Sequence, residues 1–229
     1  MPLSFARLRT LFVKRPTFLK ARPLFQARPA KATGERLYAA CVTQARQPAF
    51  YLDYGVEDAI GARFELLCLH VSAAVLTLRA VPATDPRHDQ AHETGQALFD
   101  AFLGALDNTL REQGVGDLAV PKKMKALGVV IYTRMKRWDD LWTNQASVDS
   151  QADYAARTVF AGADFNDIGP SDDETATIEV PPHILAFAAY IEAVHRSLTA
   201  DSLMAGRADW AVIPVLDAPI TPQNQALEA

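Results

Sequence analysis

Glu65 and His70 are the side chains of this sequence best suited by type to acid–base work, a carboxylate and an imidazole within one apolar segment. Their i,i+5 spacing is poor for direct contact along a single helix. A small helical hydrolase using this pair is one reading. A core histidine hydrogen-bonded to a backbone or side-chain partner is the other. His88 and His92 lie four apart beside Asp85, Asp89 and Glu93, so a helix would carry both imidazoles on one turn. A zinc hydrolase requires H-E-x-x-H, whereas His92-Glu93-Thr94-Gly95-Gln96 ends in glutamine. These residues read as solvated loop positions, and no metal site is expected. His183 and His195 have no companion nucleophile in the pattern, and no G-x-S-x-G, P-loop or C-x-x-C string occurs.

Gly114 to Ala119 spells G-x-G-x-x-A, the string of a dinucleotide-binding turn. That turn needs a buried strand before its first glycine, so that a helix N-terminus points at the pyrophosphate. The preceding residues have helical spacing instead, which makes this a corner between helices; no cofactor is expected. Cys41 and Cys68 both fall on apolar faces and read as buried thiols in a reducing compartment.

The elements around these residues follow from period and punctuation. Phe99, Phe102, Leu103, Leu106 and Leu110 mark one face of a helix, with Asp100, Asp107, Arg111 and Glu112 opposite. After Pro121, the residues Met124, Leu127, Ile131, Met135, Trp138 and Trp142 mark a second apolar face. Lys122, Lys123, Lys125, Arg134, Lys136 and Arg137 crowd its far side. The two form an antiparallel hairpin over 96–142, expected at the centre of a single irregular all-α bundle. The basic face would be a solvated surface, or a docking surface for RNA, an acidic protein or anionic lipid.

Thr33 is the expected N-cap of an earlier helix with Leu37, Tyr38, Cys41, Val42 and Ala45 inward. Pro48 opens a short helix carrying Phe50, Tyr51 and Tyr54, stopped at Gly55. From Asp58 the longest apolar helix turns Ile60, Phe64, Leu67, Val71, Ala74, Val75 and Leu78 inward, followed by a loop from Pro82 to Asp89. Its longest apolar run, Leu66 to Leu78, falls short of the ~20 residues of a membrane span. A short helix is expected around Tyr154 to Phe160, an acidic loop over 161–180, and a last helical face of Ile184, Phe187, Ala188, Ile191, Val194 and Leu198. No segment alternates with period two, and no repeat occurs.

The organisation expected is therefore a basic arm over 1–33, a helical domain over 34–213 and a frayed tail over 214–229. The 229 residues carry a net charge of -4 with a pI near 5.7, so the total balance gives no reason for a DNA partner. The arm differs. Arg7, Arg9, Lys14, Arg15, Lys20, Arg22, Arg28 and Lys31 all precede the first acid, Glu35. Such an arm suits a disordered tail, a contact with RNA or an anionic membrane, or an organelle transit peptide.

Four runs carry a resemblance. They are Gln44-Ala-Arg-Gln-Pro-Ala-Phe-Tyr-Leu-Asp-Tyr-Gly-Val56, Gly61-Ala-Arg-Phe64, Leu98-Phe-Asp-Ala-Phe102 and Leu110-Arg-Glu-Gln-Gly-Val-Gly-Asp-Leu-Ala-Val-Pro-Lys-Lys-Met124. Together they resemble the ubiquinol-cytochrome c chaperone family from about Tyr38 to Trp138. Glu57 stands where family members often carry proline. The resemblance implies a non-enzymatic assembly factor of the respiratory ubiquinol:cytochrome c reductase, complex III, which holds newly made cytochrome b. It also implies work beside the ribosome exit region and a second assembly factor. The setting implied is the cytoplasm, peripheral to the inner membrane, in a bacterium, or the matrix side of that membrane in a mitochondrion. A client surface is expected around Phe50, Tyr51, Tyr54 and Phe64. Docking to the ribosome or membrane is expected at Lys122, Lys123, Lys125, Arg134, Lys136 and Arg137. A ribosome- or RNA-docking module without a client is the alternative reading.

Overall fold

The computed structural model describes residues 27–161 and 180–216. Among these residues all regular structure is helical: α1 (Ala27–Ala45), α2 (Pro48–Leu52), α3 (Ile60–Arg79), α4 (His88–Glu112), α5 (Val120–Thr143), α6 (Val148–Arg157), α7 (Pro182–Ser197) and α8 (Ala200–Met204). The all-α bundle expected from periodicity is the observed architecture.

Its hub is α3. This helix packs against α1, α4, α5, α7 and α8, and residues around most of its circumference are buried, among them Leu66, Cys68, Leu69, His70, Val71 and Ser72, with Leu67 partly covered. Such burial requires a helix that is apolar nearly all round. By length and composition alone α3 could cross a bilayer; here neighbouring helices cover it. Ile60, expected inward, is exposed because it is the first residue of the helix.

The corner between α4 and α5 forms as the glycines indicate. Gly114 takes φ +80°, its N–H bonds to Arg111 O and the N–H of Val115 bonds to Leu110 O at 3.0 Å, closing the last turn of α4. The expected hairpin is nevertheless not the centre. The two helices diverge from the corner, and each makes its larger contact elsewhere, α4 with α1 and α3, α5 with α3.

Several boundaries move. α1 starts at Ala27, so residues 27–33 of the expected arm are helical and Thr33 is a buried position in the second turn. Pro29 is tolerated because an N–H in the first turn has no helical acceptor to lose. α4 starts at His88, within the expected loop. α6 starts at Val148, where the Ser147 hydroxyl caps the helix by accepting from Ser150 N–H. The short α8, capped by Thr199, has no counterpart in the sequence expectations. Residues 1–26 of the basic arm, most of the acidic loop (162–179) and 217–229 of the tail lie outside the described residues.

Two helices approach closely at Gly34 of α1, where a Cβ would fall 2.4 Å from the backbone carbon of Ala97 on α4. No side-chain rotation relieves a backbone clash. Gly34→Ala should therefore lower stability by about 1–3 kcal/mol in urea unfolding. Gly128→Ala on α5, where a Cβ meets open space, should instead stabilise by about 0.5–1 kcal/mol.

Candidate functional site

Two polar side chains on α3 set the arrangement. Glu65 meets Arg134 of α5, whose Nε and Nη2 donate to the carboxylate at 3.0–3.1 Å. The two side chains are 5% and 6% exposed. Desolvating both charges offsets much of their attraction, but removing either partner alone leaves a buried charge and costs about 3–5 kcal/mol. Arg134 is therefore an internal strut and not part of a docking face, because its position on α5 faces Glu65 across the helix contact.

One turn further along, His70 is fully buried. Its Nδ1 lies 2.7 Å from Leu66 O, an acceptor only, so Nδ1–H donates there. Nε2 then accepts from the Tyr190 hydroxyl of α7 at 3.0 Å. The Tyr190 oxygen in turn accepts from Gln44 Nε2 of α1 at 2.8 Å. The relay is satisfied from end to end with a neutral imidazole. Burial holds the His70 pKa down at about 4 and pushes the Tyr190 phenol and both cysteine thiols up. Glu65 and His70 thus serve different partners, which removes the geometric basis of the hydrolase reading.

Around His70 the rings of α2 and α7 converge. Phe50 lies 5.9 Å from His70, 5.4 Å from Tyr190 and 5.8 Å from Phe187, while Tyr54 lies 6.3 Å from Phe187. Phe50 and Tyr54 are fully buried, so these two of the expected client aromatics form an internal floor and not a surface. Phe64 is elsewhere, stacked with Phe102 at 6.5 Å between α3 and α4. Tyr51 is half-buried and donates its hydroxyl to Ala45 O. The structure therefore brings Phe50 and Tyr54 together and separates both from Phe64.

An unforeseen element covers this floor. Beyond α8 the chain runs without helix to Leu216, and Trp210 sets its edge against His70 at 5.3 Å. Pro214 O accepts from the Tyr54 hydroxyl at 2.8 Å. Residues 214–216, expected in the frayed tail, are thus in contact with the bundle. The run Trp210-Ala-Val-Ile-Pro-Val-Leu216 is uniformly apolar, which is the signal that could have revealed it.

The basic residues of α5 scatter. Lys136 pairs with Asp140 at 2.6 Å, and the Arg137 guanidinium lies 5.9 Å over the Tyr154 ring. Lys122 and Lys125 remain exposed on the first turns, with Lys123 partly covered and Leu118 99% exposed just before them. Among the other histidines, His88 reaches Val81 O at 2.8 Å, His195 stacks flat on Trp142 at 4.5 Å, and His183 packs edge-on to Phe160. No group of three metal-ligating side chains occurs among the described residues.

The model of the ubiquinol-cytochrome C chaperone family matches residues 52–208. The crystal structure of the Cbp3 homolog from Brucella abortus is similar, with a TM-score of 0.65 at 25% identity over 82% of this chain and 93% of that chain. No curated protein matches the sequence.

The depressed His70 pKa gives stability a defined pH dependence. The unfolded imidazole takes up a proton near its ordinary value of about 6.5, whereas the folded one resists until about 4. The contribution is therefore complete above pH 6.5 and is lost as pH falls towards 4, by about 3 kcal/mol in all. Urea unfolding from pH 7 to pH 4 should show this loss, and His70→Gln should flatten it.

Proposed function

The chain belongs to the ubiquinol-cytochrome C chaperone family, and from that membership we propose how its surfaces divide the work. It is a non-enzymatic assembly chaperone of the ubiquinol:cytochrome c reductase. The observation that carries this is the family match over 52–208, which begins at the last residue of α2 and spans every later helix, together with a fold shared over nearly the whole length of the Brucella abortus structure. The client is newly made cytochrome b, a membrane subunit whose apolar segments need cover before insertion. It is held where α2, α3 and α7 meet, above the floor of Phe50, Tyr54 and His70. Support comes from the concentration of aromatic rings there and from the exposed apolar residues beside it, Leu52, Val212 and Val215.

Docking to an anionic membrane is assigned to the start of α5. Lys122, Lys123 and Lys125 stand in the first turns with no acid among them, opposing the helix macrodipole at a cost of about 0.3–1 kcal/mol. A negative surface reverses that cost, and exposed Leu118 supplies an apolar anchor. The chaperone works peripherally at the inner membrane, from the cytoplasm in a bacterium or from the matrix in a mitochondrion. The ribosome exit region and a second assembly factor are further partners consistent with the same basic surface.

Deleting the gene should lower assembled ubiquinol:cytochrome c reductase and its haem-loaded cytochrome b, measured by native gels and difference spectra. Normal levels of both would exclude the assembly role. Separately, Lys122→Glu with Lys125→Glu should weaken sedimentation with phosphatidylserine vesicles at low salt by about thirtyfold or more, at about 1 kcal/mol per lysine and more on charge reversal. Sedimentation unchanged from the parent chain would exclude this docking face.

A further inference from the structure

We propose that the C-terminal segment Ala208–Leu216 is an internal surrogate client, a strap seated over the client floor that a client's apolar segment must displace. The inference rests on the client-binding reading above and adds the regulation of that site.

The strap is apolar where it touches and weakly held. Ala208, Trp210, Ala211, Ile213 and Leu216 pack partly buried against the core. Trp210 sits on His70, and Pro214 accepts from Tyr54. Seven consecutive residues from Trp210 to Leu216 carry no charge, and Pro214 has no N–H to give. A chain of that composition is the chemical equivalent of a short stretch of membrane-protein client.

What fastens it is little. After the Gly206 turn at φ +77°, which closes α8 through Arg207 N–H to Ser202 O, the strap's backbone-to-backbone bonding among the described residues is local, Trp210 N–H to Ala208 O. Asp209 accepts from the Ser202 hydroxyl at 2.5 Å at one end, and Tyr54 holds Pro214 at the other. Val212 and Val215 project outward, 88% and 92% exposed, so the strap leaves part of its own apolar surface uncovered. Helices bonded along their length open far less readily than a segment of this kind.

The seat is also larger than the strap. Beside Ala211 an open concavity of about 550 Å³ runs along α7, lined by Ala189, Ala193 and Ser197, with Glu192 and Arg196 at its edge and Val148 of α6 opposite. Small side chains along one helix face allow another backbone to approach closely. Ala211 of the strap lines this concavity, and lifting the strap uncovers Tyr54 and His70 beside it. The family match stops at Ala208, the first residue of the strap. Tyr54, His70 and α7 lie inside the match, and the chain past the match covers them.

A site blocked by its own chain shows an affinity reduced by the fraction of time it is open. The test uses the full chain and a fluorescent, lysine-flanked, twenty-residue leucine–alanine helix as probe. Trp210→Ala should bind the probe about tenfold more tightly than the parent chain. Tyr54→Phe keeps the ring and removes the bond to Pro214, and should tighten binding by about threefold. A synthetic peptide of residues 207–216 should compete with the probe for Trp210→Ala. Circular dichroism confirms the fold of each variant, and Tyr54→Phe serves alone should Trp210→Ala not fold. Unchanged or weaker probe binding in the folded variants, no competition by the peptide, or no probe binding at all would overturn the strap. Capture of newly made cytochrome b separates the two readings. Equal capture by parent and variants removes the strap and leaves the chaperone, while absence of capture by all of them removes the chaperone reading itself.

Discussion

A buried helix cannot leave a polar side chain without a partner; on α3 Ser72 bonds back to Cys68 O, while Glu65 and His70 reach outside the helix. Each is satisfied from a different helix. Arg134 brings α5 to Glu65, and Tyr190 brings α7 to His70, with Gln44 of α1 completing the relay. Apolar packing would tolerate small rotations of these helices about α3; a bidentate guanidinium–carboxylate pair and a directional relay of hydrogen bonds tolerate much less. The positions of α1, α5 and α7 are thereby tied to one axis.

That constraint explains why residues that look chemical serve structure. An imidazole whose two nitrogens are occupied and whose protonated form is disfavoured by burial is a poor proton carrier near neutral pH. A carboxylate neutralised by a buried arginine is equally committed. The polar groups of α3 specify one arrangement of the helices, and the surfaces left outside that arrangement include exposed apolar residues at Leu52, Val212 and Val215 and basic residues at the start of α5.

A holder of apolar clients faces a difficulty of its own: a groove suited to membrane segments is also an aggregation surface when empty. The bundle keeps most of its aromatic rings inside, and the apolar segment 208–216 lies over Tyr54 and His70. The same α3, long and apolar enough to cross a bilayer, sits inside the bundle, where five neighbouring helices cover it and the Glu65 carboxylate is matched by Arg134.

The helical class, the faces of α4, α5 and α7, the glycine corner at Gly114, the buried cysteines and the family all follow from the order of residues, since periodicity, turn chemistry and motif are local properties of a chain. Burial depth and pairing are not. Arg134 sits among lysines in the sequence and reads as surface charge until α3 presents Glu65 to it. Phe50 and Tyr54 read as a patch until Phe187 and Tyr190 arrive from more than 130 positions away in the chain. Trp210 to Leu216 shows no helical period and reads as an end. Only the tertiary structure provides the floor on which that segment lies, because the partners of an extended strap are distant in sequence and none of its own spacing encodes them.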